Sequence, residues 1–320
     1  MSDDRKPPPH TSPGGLRSLS LQPVGAGADP SRPGASPRAE VAQPRSSARE
    51  RVRRTLRRVL PEATLGSLGS TLVRTQVKTH SVLGDPMQFR RASPARECPL
   101  CGHRGRFWSF GNPPRSEAMC PRCLSLERHR LLHLLVDAHQ PAAFDGRHVL
   151  HFAPEGCIRE RLARISRYVT ADLSGRGVDL QCAMEAIPFP DGAIDTVIAN
   201  HVLEHVDDDL VAMREVRRVL KPEGMAILSV PIIQGWDETY EDRTIVAPAE
   251  RRTHFGQEDH KRMYGRDFAD RLRRAGFRVE IFRADPASEI RYGLRRGDQF
   301  FLARPNRPES TAGSESPRAG

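Results

Sequence analysis

The strongest constraint on the fold is a regular alternation of short apolar runs with amphipathic segments, which begins at residue 147. The apolar runs predict strands at "HVLHFAP", "YVTADL", "AIDTVIANHV", "GMAILSVPI", "RVEIFRA" and "QFFLAR". Apolar residues at helical spacing predict helices at "EGCIRERLARI", "DDLVAMREVRRVL" and "GRDFADRLRRAGF". Such alternation favours a doubly wound, mostly parallel α/β sheet, in which ligands bind at the carboxyl ends of the strands.

Four cysteines in two C-x-x-C pairs precede this region. Cys98 and Cys101 are followed, after 18 intervening residues, by Cys120 and Cys123. This is the spacing of a tetrahedral zinc site with four thiolate ligands, and the aromatic segment around Trp108 can form the hairpin that covers it. Four unrelated reduced cysteines, or a redox pair, are the alternatives. Because sulfur would fill every position around the ion, the sequence predicts a small zinc ribbon with a structural metal.

The positive charge of the chain is concentrated in its first 95 residues. The net charge is +10, and residues 1–95 hold 16 Lys and Arg against 7 Asp and Glu, which leaves about +1 for the remainder. Residues 1–47 are rich in Pro, Gly, Ser and Ala and lack aromatic residues, so they cannot bury enough apolar surface to become ordered. Nucleic acid is therefore a possible partner of this arm rather than of the catalytic region.

The segment after the arm, "ARERVRRTLRRVL" at residues 48–60, can form a short basic amphipathic helix. It can remain solvated or contact nucleic acid or a membrane. The longest apolar run, at 225–233, is about half as long as a membrane-spanning helix, and the N-terminus lacks the apolar core of a signal peptide. We therefore predict a cytoplasmic protein without a membrane partner.

Motifs in the α/β region resemble those of class I S-adenosylmethionine-dependent methyltransferases. In order, they are "VLHFAPEG", "TADL", "MEAIPFPDGAIDTVIANHVLEHV" and "REVRRVLKPEGMAILSVPI". In particular, the chain is similar to a bacterial methyltransferase-domain family whose first strand ends in His-x-Ala-Pro-Glu and which often carries an N-terminal four-cysteine zinc ribbon. The segment 187–206 is the most specific part. The resemblance implies a seven-stranded Rossmann-like sheet that binds S-adenosylmethionine.

On this basis the chain divides into six parts. They are a disordered basic arm (1–47), a linker with a short basic helix (48–95), the zinc ribbon (96–126), a connecting helix (127–146), the class I methyltransferase domain (147–304) and a disordered tail (305–320).

The resemblance also implies which residues bind the cofactor. Asp172 ends the second strand of the region, where an acidic side chain accepts hydrogen bonds from the ribose hydroxyls. The loop after the first strand would hold the methionine part, with Glu155 near the cofactor's amino group. This loop departs from the commoner Asp-x-Gly-x-Gly form, because His151 replaces the acid and Ala153 and Glu155 replace glycines. Pro154 belongs to the same loop.

The remaining cofactor residues follow from the same resemblance. Ala183 stands where related sequences often have an acid that contacts adenine, so Met184 and Glu185 are expected to cover the ring. Gly156 and Asn200 complete the predicted set, in the first loop and at the end of the strand predicted at "AIDTVIANHV".

Four histidines are candidates for a catalytic base. His201 and His205 lie at the end of the strand predicted at "AIDTVIANHV" and just after it, next to the expected methyl position. His254 and His260 lie in an insert at 232–265, which we expect to be a lid or binding segment without regular structure. Methyl transfer from a sulfonium mainly needs alignment, although oxygen and nitrogen acceptors can also need a proton removed. Packing or capping is the alternative role for His201 and His205, and a structural loop contact is the alternative for the two histidines of the insert.

Three functions remain open from the sequence. The first is a methyltransferase for a small or carbohydrate-like acceptor, favoured by the nearly neutral catalytic region. The second is an RNA methyltransferase that uses the zinc ribbon and the basic arm. The third is a non-enzymatic binding module on the same fold, which the departures in the first loop and at Ala183 permit.

Overall fold

A computed structural model describes residues 75, 78–79, 81–90, 94–111, 113–139 and 143–306, with the side chains of 138 and 139 excepted. The arm at 1–47, the basic helix expected at 48–60 and the tail from 307 lie outside the described residues. The last strand extends to Pro305, one residue beyond the domain end expected at 304.

The N-terminal region contains two small hairpins and a helix. The elements are β1 (Arg96–Glu97), β2 (Arg104–Gly105), β3 (Trp108–Phe110), β4 (Arg115–Met119) and α1 (Glu127–Leu134). Strand β1 pairs antiparallel with β2, and β3 pairs antiparallel with β4. Helix α1 continues into a π-helical turn at Leu135–His139. The aromatic segment between the cysteine pairs therefore forms a hairpin, as its sequence predicts.

The α/β region begins at residue 148. Its elements are β5 (His148–Phe152), α2 (Gly156–Ile165), β6 (Arg167–Asp172), β7 (Leu180–Gln181), β8 (Ile194–Asn200), α3 (Asp209–Val219), β9 (Leu220–Ser229), β10 (Tyr240–Glu241), α4 (Pro248–Phe255), β11 (Arg262–Met263), α5 (Phe268–Arg274), β12 (Phe277–Phe282), α6 (Pro286–Tyr292) and β13 (Phe300–Pro305). Every strand and helix predicted for this region is present.

Seven of these strands form one sheet in the order β12-β13-β9-β8-β5-β6-β7. Strands β5 to β9 are parallel, whereas β13 runs antiparallel between β9 and β12. The predicted seven-stranded, mostly parallel sheet is thus confirmed. Its order reverses at β5, because the chain proceeds outward to β6 and β7 and then returns to β8 on the other side, which creates a crevice at the carboxyl ends.

The central strands are buried on both sides because helices cover both faces of the sheet. In β8, Val197 packs in one apolar cluster with α3 and α5, whereas its neighbour Ile198 packs in the opposite cluster with α1 and α2. The second cluster contains Leu131 from α1 and Leu162 from α2. Helix α1 is therefore part of the core of the α/β region as well as a connection from the ribbon.

The insert at 232–265 is more regular than expected. It contains α4 and the two-stranded pair of β10 with β11. Tyr264 is fully buried, and its hydroxyl donates to the carbonyl of Leu203 at 3.1 Å and to Asp209 at 3.0 Å. The expectation of an irregular segment was wrong, because buried contacts of this kind fix the insert to the sheet.

Candidate functional site

The ribbon cysteines are held in two matching knuckles. The carbonyl of Cys98 accepts from the amide of Gly102 at 2.9 Å, and that of Cys120 accepts from Leu124 at 2.9 Å. Gly102 has a φ of 70° and Leu124 a φ of 60°, so both knuckles use the left-handed conformation at the same position. The two C-x-x-C segments therefore turn in the same way and present their sulfurs to one point.

The four sulfurs are close enough for one ion. The Sγ atoms of Cys98 and Cys123 are 3.5 Å apart, those of Cys101 and Cys120 are 3.6 Å apart, and all four lie within 4.8 Å of one another. Tetrahedral zinc with Zn–S bonds of about 2.3 Å requires sulfurs about 3.8 Å apart. The cluster is consistent with the predicted four-thiolate zinc site.

Arg130 of α1 joins the ribbon to the α/β region. Its side chain is fully buried, and its guanidinium carbon lies 4.6 Å from the ring centroid of Phe107. It donates to the carbonyls of Ser125 and Tyr292, both at 2.7 Å. Burial lowers the pKa of Arg130, and Glu127 and the ribbon thiolates counteract this effect. One cation thus contacts the ribbon and the end of α6.

Both strands at the centre of the expected cofactor crevice end in a left-handed residue. Ala153 after β5 has a φ of 47°, and His201 after β8 has a φ of 57°. The amide of Ala153 donates to the carbonyl of Ala171 at 2.8 Å, and that of His201 donates to Ser229 at 2.9 Å. Non-glycine residues rarely adopt this conformation, and it concentrates at functional sites.

Glu155 lies at the N-terminus of α2 but does not cap the helix with its side chain. Its Oε1 accepts from Asn200 Nδ2 at 2.6 Å. Its Oε2 lies 3.0 Å from His151 Nε2, although neither atom makes a hydrogen bond of good geometry with the described residues. Asn200 Oδ1 in turn accepts from the hydroxyl of Ser229. A buried polar network therefore connects the ends of β5, β8 and β9.

Glu155 is ionised at neutral pH despite its burial. Desolvation alone would raise the pKa of this carboxyl, but His151, His129 and Asn200 together lower it to about 2. The hydroxyl of Tyr168 lies 2.8 Å from His151 Nδ1 and keeps its proton, because burial raises the pKa of Tyr168. Tyr168 can therefore donate to Nδ1, which leaves Nε2–H of His151 to face the carboxylate.

Asp172 ends β6, where the sequence predicts an acidic residue. Its Oδ1 accepts from the amide of Ser174 at 2.7 Å and from the same residue's hydroxyl. Within the described part of the chain, its other carboxylate oxygen has no hydrogen-bond partner. A turn thus holds the carboxylate at the crevice with one oxygen available to a ligand.

The other predicted cofactor residues differ in accessibility. Pro154 and Gly156 flank Glu155, and a Cβ added at Gly156 would meet no atom within 4 Å, so there is open space beside the first turn of α2. Met184 is 3% exposed and packs in the core. Glu185 is half-buried and accepts from the amide of Asp207 at 2.7 Å. The open space and the available Asp172 oxygen fit a bound cofactor.

A cavity of about 630 Å³ opens at the carboxyl ends of β8 and β9. Its walls come from α1, from the insert and from the loop that precedes β13. Its charged lining residues carry both signs and are Arg115, Glu127, Arg128, Glu204, Asp259, Arg295, Arg296 and Asp298. Arg115 is paired with Glu127 at 2.9 Å. Burial raises the pKa of Asp298 to about 6, although Arg295 opposes the shift.

Three of the four candidate histidines line this cavity. They are His201, His205 and His260. His201 Nδ1 lies 3.1 Å from Glu204 Oε1, and the rings of His205 and His260 are 4.7 Å apart. His254 is exposed on α4, does not line the cavity, and has its Nδ1 2.8 Å from the hydroxyl of Tyr240. The fold thus brings two histidines next to β8 together with one from the insert.

Two residues of the cofactor crevice and the cavity were not identified from the sequence. Tyr168 faces His151 from a neighbouring strand, and Asp298 enters the cavity from a loop before the last strand. Neither belongs to a motif, so only the pairing of β5 with β6 and the position of β13 bring them to the site.

Comparisons with known proteins agree with this geometry. Residues 147–228 match the family described as "Methyltransferase domain". The chain is 36% identical over 80 residues to the ubiquinone/menaquinone biosynthesis C-methyltransferase UbiE of Paraburkholderia phytofirmans, covering 25% of this chain and 32% of that protein. It is 30% identical over 125 residues to an uncharacterized 37.1 kDa protein in transposon Tn4556 of Streptomyces fradiae, covering 36% and 35%. The chain thus spans about a third of the length of these relatives.

Two solved structures are similar to about half of the chain. An S-adenosylmethionine-dependent methyltransferase from Mesorhizobium loti aligns with a TM-score of 0.36 and 16% identity, over 51% of this chain and 95% of that one. The YcgJ protein from Bacillus subtilis aligns with a TM-score of 0.39 and 15% identity, over 56% and 100%.

The sheet order and the acidic end of β6 fit the Rossmann-like fold that the sequence motifs predict. Within this sheet, residues 147–228 match a methyltransferase domain. Among the described residues, no helix has the length and apolar character needed to cross a membrane.

Proposed function

We propose that the protein transfers a methyl group from S-adenosylmethionine to a small-molecule acceptor bound in the cavity beside β8 and β9. The observation that carries this proposal is the cavity itself, about 630 Å³ in volume and next to the end of β8. Small-molecule sites commonly measure roughly 300–1,000 Å³. Its lining charges have both signs, which suits a polar acceptor better than a polyanion.

The cofactor would lie across the ends of β5 and β6. Asp172 would accept from the ribose hydroxyls with the oxygen that Ser174 does not occupy. Glu155 would bind the ammonium through Oε2, and the amides at the start of α2 would bind the carboxylate. The small side chain of Ala153, at the left-handed turn, would let the backbone approach the cofactor closely.

S-adenosylmethionine supplies a methyl group that is already activated on sulfur. The task of this chain is therefore to align the acceptor with the carbon–sulfur bond and to exclude water. As the acceptor atom bonds to the methyl carbon, the carbon–sulfur bond breaks and a hydroxyl or amine acceptor loses a proton. His201 is the base that we propose, because it lines the cavity and Glu204 lies 3.1 Å from its Nδ1.

The test begins with calorimetric binding of S-adenosylhomocysteine to the full-length protein. Methyl transfer is then measured as S-adenosylhomocysteine release in the presence of small hydroxy, phenolic and enolic acids and of sugars. We expect turnover with a small acceptor, and we expect His201→Ala to lower it while S-adenosylhomocysteine still binds. His254→Ala is the matched control, since His254 lies outside the cavity. If S-adenosylhomocysteine does not bind, the proposal of an enzyme fails in favour of a binding module.

The RNA alternative has a separate test. If RNA were the acceptor, methyl incorporation into RNA would be seen and would survive deletion of residues 1–74. Retention of RNA that weakens steeply with salt and disappears with the deletion, without methyl incorporation, would show only an electrostatic effect of residues 1–74.

A further inference from the structure

Three side chains with metal-binding groups converge in the cavity. Glu204 and His205 belong to the turn after β8, whereas His260 comes from the insert, just before β11. One ligand atom from each residue lies within 4.8 Å of those from the other two. The backbone fastens the two segments together, because the amide of Lys261 donates to the carbonyl of Glu204 at 2.8 Å.

The hydrogen bonds of both histidines leave an acceptor atom at Nε2. His260 Nδ1 lies 3.1 Å from the carbonyl oxygen of Phe255, and His205 Nδ1 lies 3.3 Å from that of Asp259. A carbonyl oxygen can only accept, so Nδ1 of each ring carries the proton and Nε2 keeps its lone pair. In metal-bound histidines, the ring nitrogen that does not bind the metal commonly donates its N–H to a group such as a backbone carbonyl.

Glu204 supplies a third acceptor. The residue is 1% exposed, and its Oε1 faces His201. Its Oε2 is buried and has no hydrogen-bond partner among the described residues. A carboxylate oxygen without a donor is costly in a buried place. A buried carboxylate oxygen without a donor thus belongs to a residue whose ligand group lies within 4.8 Å of two imidazoles.

We propose that Glu204, His205 and His260 bind a divalent transition-metal ion in the cavity. Two histidines and one carboxylate are a common set of protein ligands for such ions and leave further positions open. The set differs chemically from the ribbon, whose four sulfurs leave no open position. The ion would satisfy Glu204 Oε2 and both Nε2 atoms at once.

A metal ion bound by these three residues would determine which acceptor molecules the cavity binds. This inference rests on the proposed function. Because all three ligands line the cavity, coordination positions left open on the ion would suit an acceptor with two neighbouring oxygens, such as a catechol, a hydroxy acid or an enolisable 2-oxo acid. Binding to the ion would lower the pKa of the acceptor's hydroxyl. Its proton would leave to His201 or to solvent, and the oxygen or enol carbon would attack the methyl group as the carbon–sulfur bond breaks.

The experiment titrates Co²⁺ into the full-length protein after the ribbon has been filled with one equivalent of zinc. Calorimetry gives the stoichiometry, and the visible spectrum identifies the ligands, because cysteine ligands would add sulfur-to-metal charge transfer. We expect one further ion per chain without that band. Glu204→Gln and His260→Ala should each weaken Co²⁺ binding by about tenfold or more. His254→Ala should leave it unchanged.

Retained ribbon zinc and retained S-adenosylhomocysteine binding show that a variant is folded. Because Glu204 and His260 are buried, the half-exposed His205 provides a second test in His205→Ala. The proposal is overturned if the wild type binds no Co²⁺ beyond the ribbon, or if all three variants bind as the wild type does. Co²⁺ binding without S-adenosylhomocysteine binding would remove the proposed function but keep the metal site, and the reverse result would keep only the function.

Discussion

Asn200 at the end of β8 donates from Nδ2 to Oε1 of Glu155 at 2.6 Å, across the space between two parallel strands. This bond fixes one oxygen of a carboxylate that the depressed pKa keeps charged. The second oxygen lies 3.0 Å from Nε2 of His151 and is the one that we propose also binds the ammonium of the cofactor. A buried carboxylate is stabilised only when hydrogen-bond donors or cations lie beside it. The hydrogen bond from Asn200 to Glu155 therefore contributes both to the stability of the sheet edge and to the proposed ligand site.

Glu155→Gln should weaken S-adenosylhomocysteine while leaving adenosine binding nearly unchanged. Glutamine keeps an oxygen for Asn200 but removes the charge that would attract the ammonium of the methionine part. Calorimetry with both ligands, on the wild type and the variant, measures the difference. Equal losses for the two ligands would indicate a structural role only, and no loss for either would remove Glu155 from the site.

The same substitution should change the acid stability of the protein. The pKa of Glu155 is lowered from 4.5 to about 2. Its ionised form therefore stabilises the fold above about pH 4.5, by about 3 kcal/mol, and this contribution is lost as the pH falls toward 2. Urea unfolding at pH 6 and pH 3 should show the wild type and Glu155→Gln becoming more alike at the lower pH. A constant difference would contradict the lowered pKa.

Asp172→Ala should weaken S-adenosylhomocysteine binding by roughly ten- to a hundredfold. Loss of a charged acceptor for the ribose hydroxyls costs about 1.5–3 kcal/mol. Ser174→Ala is the control, because it loosens the turn around Asp172 without removing the carboxylate. Unchanged affinity in folded Asp172→Ala protein would remove this residue from the cofactor site.

Cys120→Ser should release the ribbon metal. The substitution removes one of four sulfurs that lie within 4.8 Å of one another. Cys182→Ser is matched to it, because Cys182 lies outside that group. Elemental analysis should find one zinc fewer per chain in Cys120→Ser than in the wild type and in Cys182→Ser, and S-adenosylhomocysteine should still bind to Cys120→Ser. Zinc retained at full stoichiometry in Cys120→Ser would show that the metal is held elsewhere.

Arg130→Met should destabilise the protein by roughly 3 kcal/mol, because the buried carbonyl of Ser125 and the part-buried carbonyl of Tyr292 lose a charged donor. The control is Arg104→Met, whose side chain is 75% exposed and should contribute little. Urea unfolding followed by tryptophan fluorescence measures both. A similar small effect for the two variants would show that Arg130 does not hold the ribbon to α6.

The alternation of apolar and amphipathic segments was sufficient to predict the main strands, because buried parallel strands need continuous apolar runs. It could not predict β7, whose two residues are too short for a periodic signal. Helix α6 was also missed, since none of its residues is buried and its sequence therefore lacks an apolar face. The insert was misjudged as irregular because its order comes from contacts such as that of Tyr264 with Asp209, which are distant in sequence.

The sequence by itself determined the fold class, the cysteine set and the acidic end of β6, because local residue spacing or a short motif is sufficient to identify each of them. Only the tertiary structure decided which distant groups meet: Tyr168 with His151, Asn200 with Glu155, and His260 with Glu204. The physical reason is that a charge or a lone pair depends on what lies within a few ångströms, and strand pairing and an inserted hairpin set those distances. A sequence motif identifies the chemical group, whereas the tertiary structure determines which other groups contact it.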